Sequence, residues 1–227
     1  MLLVSSGAIS AQRNPAPQNL PKYDKQKIHF GFVLGINRAN FKMQEAGDFK
    51  YQDSIYSITP TAQAGLNLGI LSNLRLGEYF DLRFMPALSF VQRKLDYGFY
   101  IPSTSQSSDL IKTVESTYLE LPVNIKFKSK RIDNYRIYVV GGGRYSTDMI
   151  SQAKVKERDP DILKLRRKDY GLELGVGADF YMPYFKFSPE IKMFSGMPDL
   201  LVRENTPYVN SIQSLKSKIF FISFFFE

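Results

Sequence analysis

From Thr117 to Lys128 apolar and polar residues alternate without a break. Leu119, Leu121, Val123, Ile125 and Phe127 form one row; Tyr118, Glu120, Pro122, Asn124, Lys126 and Lys128 form the other. A helix repeats its apolar residues at three and four, whereas a spacing of two puts them on one face of a strand. The same alternation sets Phe30, Phe32, Leu34 and Ile36 against His29, Gly31, Gly35 and Asn37, and sets Leu66, Leu68 and Ile70 against Gly65, Asn67 and Gly69. It returns at Phe80–Arg93, Tyr135–Arg144, Leu172–Phe180, Phe185–Met193 and the closing KIFFISFFFE, Lys218 to Glu227. Each segment is about ten residues or longer, the length a tilted strand needs to cross a bilayer.

The connections sharpen that reading. Ser72 to Glu78, Ser129 to Asn134 and Met182 to Tyr184 are short. Arg38 to Thr59, Tyr97 to Ser116, Ser146 to Lys168 and Gly196 to Ser217 are long and polar. Short and long connections alternate along the chain, as in an up-and-down barrel of the outer membrane, with tight periplasmic turns and longer external loops. The expected fold is therefore all-β: an eight-stranded antiparallel transmembrane barrel.

A soluble barrel would bury the apolar row, and a membrane barrel turns it to lipid. The polar row is rich in glycine (Gly31, Gly35, Gly65, Gly69, Gly142, Gly175, Gly177) and carries both signs of charge. Small residues and opposite charges suit a narrow lumen better than a solvated surface. Asp81, Arg83, Arg93, Glu120, Lys126, Arg136, Arg144, Glu173, Asp179, Lys186, Glu190 and Lys192 are thus expected to point inward and form mixed-sign networks, since an unpaired charge in a closed interior is costly. Eight strands leave room only for side chains, so no open pore is expected. Tyr79, Tyr135, Tyr181 and Tyr184 beside the short turns, and Tyr97, Tyr100, Tyr118, Tyr145 and Tyr170 near the long loops, are expected as two aromatic girdles.

Composition narrows the remaining possibilities. The 227 residues contain no cysteine, which excludes disulfides and thiol chemistry. No run of about 18 apolar residues offers a transmembrane helix. Residues 1–11, with apolar Leu2 to Ile9, read as the end of a secretory signal peptide, and 12–27 as a pre-strand segment before a barrel domain at 28–227. Net charge is +8 but scattered, without a basic helix or an aromatic RNA-binding signature, so nucleic acid is not an expected partner. Lys154 to Arg158 and Lys164 to Lys168 are solvated loop charges that could meet lipopolysaccharide phosphates.

Little in the chain announces catalysis. His29 is the single histidine, and no G-x-S-x-G elbow accompanies it. One histidine and no cysteine leave only oxygen ligands for a metal. Gly141–Gly143 and Gly175-Val176-Gly177 lack a complete nucleotide-loop motif and lie within strand alternation. No catalytic, cofactor or metal residue is assigned, and a non-enzymatic role is expected.

The stretch NLPKYDKQKIHFGFVLGINRANF, Asn19 to Phe41, resembles the start of the mature PorT family, outer-membrane barrels of Bacteroidetes. Asn19, Leu20, Pro21, Asp24, Lys27, His29, Phe30, Gly31, Phe32, Gly35 and Asn37 carry the resemblance. YLELPVNIKF, Tyr118 to Phe127, looks like the fourth strand of the wider superfamily. The resemblance implies an accessory role in the type IX secretion system, which exports proteases, adhesins and gliding-motility components. Asn19 to Lys27 is then the expected periplasmic contact with other secretion proteins. A generic binding or adhesion barrel using its external loops is the alternative; a lipid-modifying enzyme using His29 is the third reading.

The closing strand is expected to pair with His29–Asn37 and to turn Phe220, Ile222, Phe224 and Phe226 to lipid. Alternation at the terminus resembles the signal read by the barrel-assembly machinery, with Glu227 placing it one residue out of register. The opposite row, Ile219, Phe221 and Phe225, would then enter a polar lumen and is expected to pack against its glycines.

Overall fold

The computed structural model describes residues 17–45, 55–101, 106–150, 164–203, 209 and 211–227. Residues 1–16, with the expected leader, and the Lys154–Arg158 run lie outside them. The strands are β1 (Ile28–Glu45), β2 (Ile55–Arg75), β3 (Phe80–Phe84), β4 (Ala87–Ile101), β5 (Gln106–Lys128), β6 (Tyr135–Asp148), β7 (Lys168–Tyr181), β8 (Lys186–Gly196) and β9 (Ile212–Phe226). All neighbouring pairs are antiparallel, and β9 returns to β1 to close the ring.

Nine strands make eight staves. β3 and β4 lie end to end, and β2 and β5 pair with both in an unchanged register across the gap. The gap sits at Met85-Pro86, opposite Pro122 of β5. Proline has no N–H to give the ladder, so the pairing lapses there while the stave runs on.

β1, β2 and β5 are 18, 21 and 23 residues long. A bilayer needs only about 9–11 per strand, so the surplus projects beyond it on the long-loop side. This corrects the expected first and second long loops. β1 and β2 extend through much of Arg38–Thr59, and β4 and β5 pair from Ala87↔Glu120 to Ile101↔Gln106, turning most of Tyr97–Ser116 into hairpin.

Alternation decides which way each side chain points. Phe30, Phe32, Leu34 and Ile36 of β1, Ile137 and Val139 of β6, and Leu172, Leu174 and Val176 of β7 are exposed on the outer wall. Every one of the twelve charged residues expected inside is buried. The predicted closure also forms: Phe32–Phe41 of β1 pair with Phe226–Ser217 of β9, and Phe32 stacks on Phe226 with ring centroids 5.0 Å apart.

Candidate functional site

The short-turn mouth is shut by the segment before β1. Leu20 adopts φ 50°, in the left-handed region that strains a branched side chain, and this turns the chain under the barrel. A 3-10 turn, Tyr23–Lys25, follows. Asn19 anchors its start, with its N–H donating to Asn134 Oδ1 at 2.8 Å and its side-chain amide donating to the Tyr181 carbonyl at 2.9 Å. Asp24 is the pivot. Its carboxylate accepts from the Tyr181 hydroxyl at 2.9 Å and pairs with Arg136 at 3.1 Å and Arg131 at 3.4 Å, while Arg75 donates to its carbonyl. Burial works against this charge. The Arg136 guanidinium, the Tyr181 hydrogen bond and Arg131 together outweigh it and hold the carboxyl below its usual range. Tyr23 stacks on His29 with centroids 3.9 Å apart and donates to Glu227 at 2.8 Å.

Inside, the charges pair as their confinement demands. Near the plug, Asp179 accepts from Lys126 at 2.7 Å, Arg136 at 2.9 Å and Ser188 at 2.7 Å, and Lys186 meets Glu227 at 2.7 Å. Midway, Glu190 takes Arg83 at 2.7 Å and the Tyr138 hydroxyl at 2.9 Å. Higher up, Arg144 reaches Glu120 at 2.9 Å and Glu173 at 3.5 Å, and Lys192 reaches Glu173 at 2.8 Å.

Among the described residues, eight cations (Arg83, Arg93, Lys126, Lys128, Arg136, Arg144, Lys186, Lys192) face eight acids in this interior (Asp81, Glu120, Asp148, Asp169, Glu173, Asp179, Glu190, Glu227). Among the described residues, the formal charges of the lumen therefore balance.

The inward aromatic row of β9 has a role that differs from the expected one. Phe225 lies 4.7 Å from the Arg83 guanidinium, and Arg144 sits 3.4 Å from the Phe194 ring and 5.0 Å from Phe221. These rings are platforms for buried arginines, whose charge the aromatic face stabilises where water is scarce. They also join two small apolar clusters, Ile219 and Phe221 with Ala39, Val91, Tyr118 and Phe194, and Phe225 with Val33, Leu71 and Met85. The glycines instead relieve crowding within the wall. A Cβ on Gly177 would collide with the Tyr138 ring, and one on Gly35 would sit 2.6 Å from Asn67 Oδ1.

The long-loop mouth is stopped by grease. Leu165, Leu200, Leu201 and Val209 fold in over Phe41, Ile58, Leu95, Ile212 and Leu215. Asp199 pins this fold, accepting from the Leu215 N–H at 2.9 Å, the Leu201 N–H at 3.2 Å and Arg203 at 2.7 Å. Burial raises its carboxyl pKa, but the two backbone donors and Arg203 prevail and lower it. The Gly196–Ser217 connection, expected as a polar external loop, thus puts its leucines into the barrel. The leucines were visible in sequence; the closed mouth that gives them a place to bury was not.

The lumen is sealed at one end by a polar plug and at the other by an apolar one, and the outer wall of its periplasmic half is apolar. Residues 11–201 match the family described as outer membrane protein beta-barrel domain. The chain belongs to that family. As a member of it, the protein resides in the outer membrane, with its short turns on the periplasmic side. No curated protein matches its sequence. Solved structures similar to this family member include OprG of Pseudomonas aeruginosa, at 12% identity and TM-score 0.48, with 89% of this chain and 97% of that one covered. Neisserial surface protein A is similar at 10% identity and TM-score 0.45, covering 88% and 98%. Ail of Yersinia pestis, solved with the heparin analogue sucrose octasulfate, is similar at 12% and 0.38, covering 88% and 99%.

Of the tyrosines expected in the girdles, Tyr97 and Tyr100 have side chains outside the described ones, and two of the others lie elsewhere in this barrel. Tyr79, Tyr135, Tyr145, Tyr170 and Tyr184 are exposed on the wall. Tyr181 and Tyr118 are buried, one bonded to the plug through Asp24 and the other accepting from Arg93 at 3.1 Å. Parity would have placed both, since Tyr181 shares a row with Asp179 and Tyr118 shares one with Glu120. His29 is buried where expected, on the inner row at the periplasmic end, with its ring face covered by Tyr23. Of the Lys164–Lys168 run, Arg166, Arg167 and Lys168 are exposed above the outer mouth while Leu165 is buried in it.

Proposed function

We propose that this barrel is a non-enzymatic accessory component of protein secretion of the type IX kind, as its resemblance to PorT implies. One observation carries the reading: the stretch that bears the resemblance is the stretch that builds the periplasmic plug. Asn19 and Asp24 anchor it, His29 stacks beneath it, and Asn37 lines the lumen, donating to Ser89 at 3.2 Å. A barrel stopped at both mouths is no conduit for folded cargo, which leaves it a supporting part. The lone histidine is stacked against Tyr23, which speaks against the third reading, an enzyme using His29.

The contact with other secretion proteins falls on the outward side of the plug. Of Asn19–Lys27, Lys22, Lys25 and Lys27 remain exposed and basic, suited to an acidic partner segment. The test is deletion of the gene in a bacterium with this secretion system, with complementation by the wild type and by a Lys22→Glu, Lys25→Glu, Lys27→Glu variant. Deletion should shift cargo from the medium to the periplasm, and the charge-reversed variant should fail to restore export while its barrel folds. Unchanged secretion in the deletion strain would refute the role.

The alternative, ligand binding at the external face, is favoured by Arg166, Arg167 and Lys168, which could meet lipopolysaccharide phosphates. Replacing these three and finding secretion intact but lipopolysaccharide binding lost would favour it.

A further inference from the structure

The outer wall is dented on the periplasmic half of β6, β7 and β8. Pairing between β7 and β8 lapses after Gly177↔Glu190 and resumes at Phe180↔Phe187 in the same register. Pro189 has no N–H to offer there. Ala178 on the outer face and Gly177 beneath it leave little side chain to fill the gap. The result is a hollow of about 630 Å³, lined by Phe127, Ile137, Val139, Val176, Ala178 and Ile191. That volume is in the range of roughly 300–1,000 Å³ typical of small-molecule sites. The hollow is apolar and faces the hydrocarbon of the membrane.

Its periplasmic corner is Ser129, at the start of the β5–β6 turn. Ser129 is also a wall of a second hollow, of about 260 Å³, tucked under the rim. That one is cationic: Arg75, Lys128, Lys130, Arg131 and Arg136 line it, against Asp24 and Glu78. Asp24 is engaged by Arg131 and Arg136, and Lys128 pairs with Asp81 at 2.5 Å. Lys130 is exposed, and Tyr79 completes the wall at the depth where aromatic residues meet lipid headgroups.

An apolar hollow at acyl-chain depth thus shares a residue with a basic hollow at headgroup depth. We propose that the two form one binding site for an anionic phospholipid of the periplasmic leaflet, with an acyl chain lying over Ala178 and Pro189 and the phosphate held at Lys130, beside Arg75, which donates to the Asp24 and Gly77 carbonyls. A free anion would use only the basic half, and a neutral lipid only the apolar half. This stands on the wall and rim, independent of the secretion reading.

The test uses the full chain in nanodiscs of phosphatidylcholine with a minor share of phosphatidylglycerol, stripped gently and weighed by native mass spectrometry. The wild type should retain one phosphatidylglycerol in preference to phosphatidylcholine. Lys130→Gln should lower that preference by about tenfold, the loss of one charged contact. Ala178→Phe, which fills the hollow from the lipid side, should lower retention of both lipids. Heat-modifiable mobility in electrophoresis verifies that each variant is a folded barrel. Equal retention of the two lipids by the wild type, or an unchanged preference in folded Lys130→Gln, overturns the proposal. Release of the lipid by excess inorganic phosphate would show a simple anion pocket instead. A dimer abolished by Ala178→Phe would show the hollow to be a protein contact; either result refutes the lipid site.

Discussion

Replacing Asp24 with asparagine should unlatch the periplasmic plug without disturbing the barrel. The carboxylate receives Tyr181 at 2.9 Å, Arg136 at 3.1 Å and Arg131 at 3.4 Å. A hydrogen bond to a charged group contributes about 1.5–3 kcal/mol when water is excluded. The Asp24 side chain is 31% exposed, so solvent takes back part of this, and asparagine keeps an oxygen for Tyr181. What is lost is mainly the charge facing two arginines, about 2 kcal/mol after screening, or about 30-fold in the docking equilibrium. Hydrogen exchange reads it directly. The amides of Tyr23, Lys25 and Gln26 donate to the carbonyls of Leu20, Lys22 and Tyr23, and they should exchange about 30-fold faster, while those of β6 stay protected.

The pH dependence carries a sign. The docked carboxyl is held below its ordinary value. Its stabilisation is therefore whole above about 3.9, the free aspartate value, and is lost as pH falls through the depressed docked value. Acidification through that window should loosen the wild-type plug and leave Asp24→Asn unchanged by this group. Equal exchange in the two proteins at neutral pH would refute the latch, and loss of protection throughout the barrel would show Asp24 to hold more than the plug.

Three further outcomes follow from the interior. Leu200→Ala should cost the outer stopper about 3 kcal/mol and make the β8–β9 connection a protease target, with the barrel still heat-modifiable. Asp199→Ala leaves the N–H groups of Leu201 and Leu215 without their acceptor and should speed exchange at those two amides about tenfold; because the Asp199 carboxyl is also lowered, the wild-type protection should survive until strongly acidic pH. Phe225→Ala removes a buried ring and the face beneath Arg83, and should lower barrel stability by about 3–5 kcal/mol in urea unfolding from micelles. A similar loss in Phe224→Ala, whose ring faces lipid, would contradict that assignment.

Sequence by itself determined the stave count and the closing seam of this protein, and the direction of most of its side chains. Those follow from local physics, because a period of two survives without knowledge of neighbours until a bulge resets it, as in β2, where Ile58 is buried although it shares parity with the exposed Leu66 and Leu68. Tyr118 and Tyr181 were expected in the girdles from their position near the membrane edges, and the structure puts them in the lumen with their row instead. The gap at Met85-Pro86 was not read from the sequence, which showed one alternating segment from Phe80 to Arg93.

Only the tertiary structure decided what fills the two mouths and which charges meet. Asp24 lies 112 residues from Arg136, and no spacing rule links them. Leu200 and Leu201 sit in a polar connection and become a core only once the ring of β1, β2, β4 and β9 gives them walls. The phenylalanines of KIFFISFFFE divide along the same line. Their outward row was readable as lipid-facing from alternation, whereas Phe221 and Phe225 acquired their purpose from arginines on distant staves, which closure of the barrel brings over their rings.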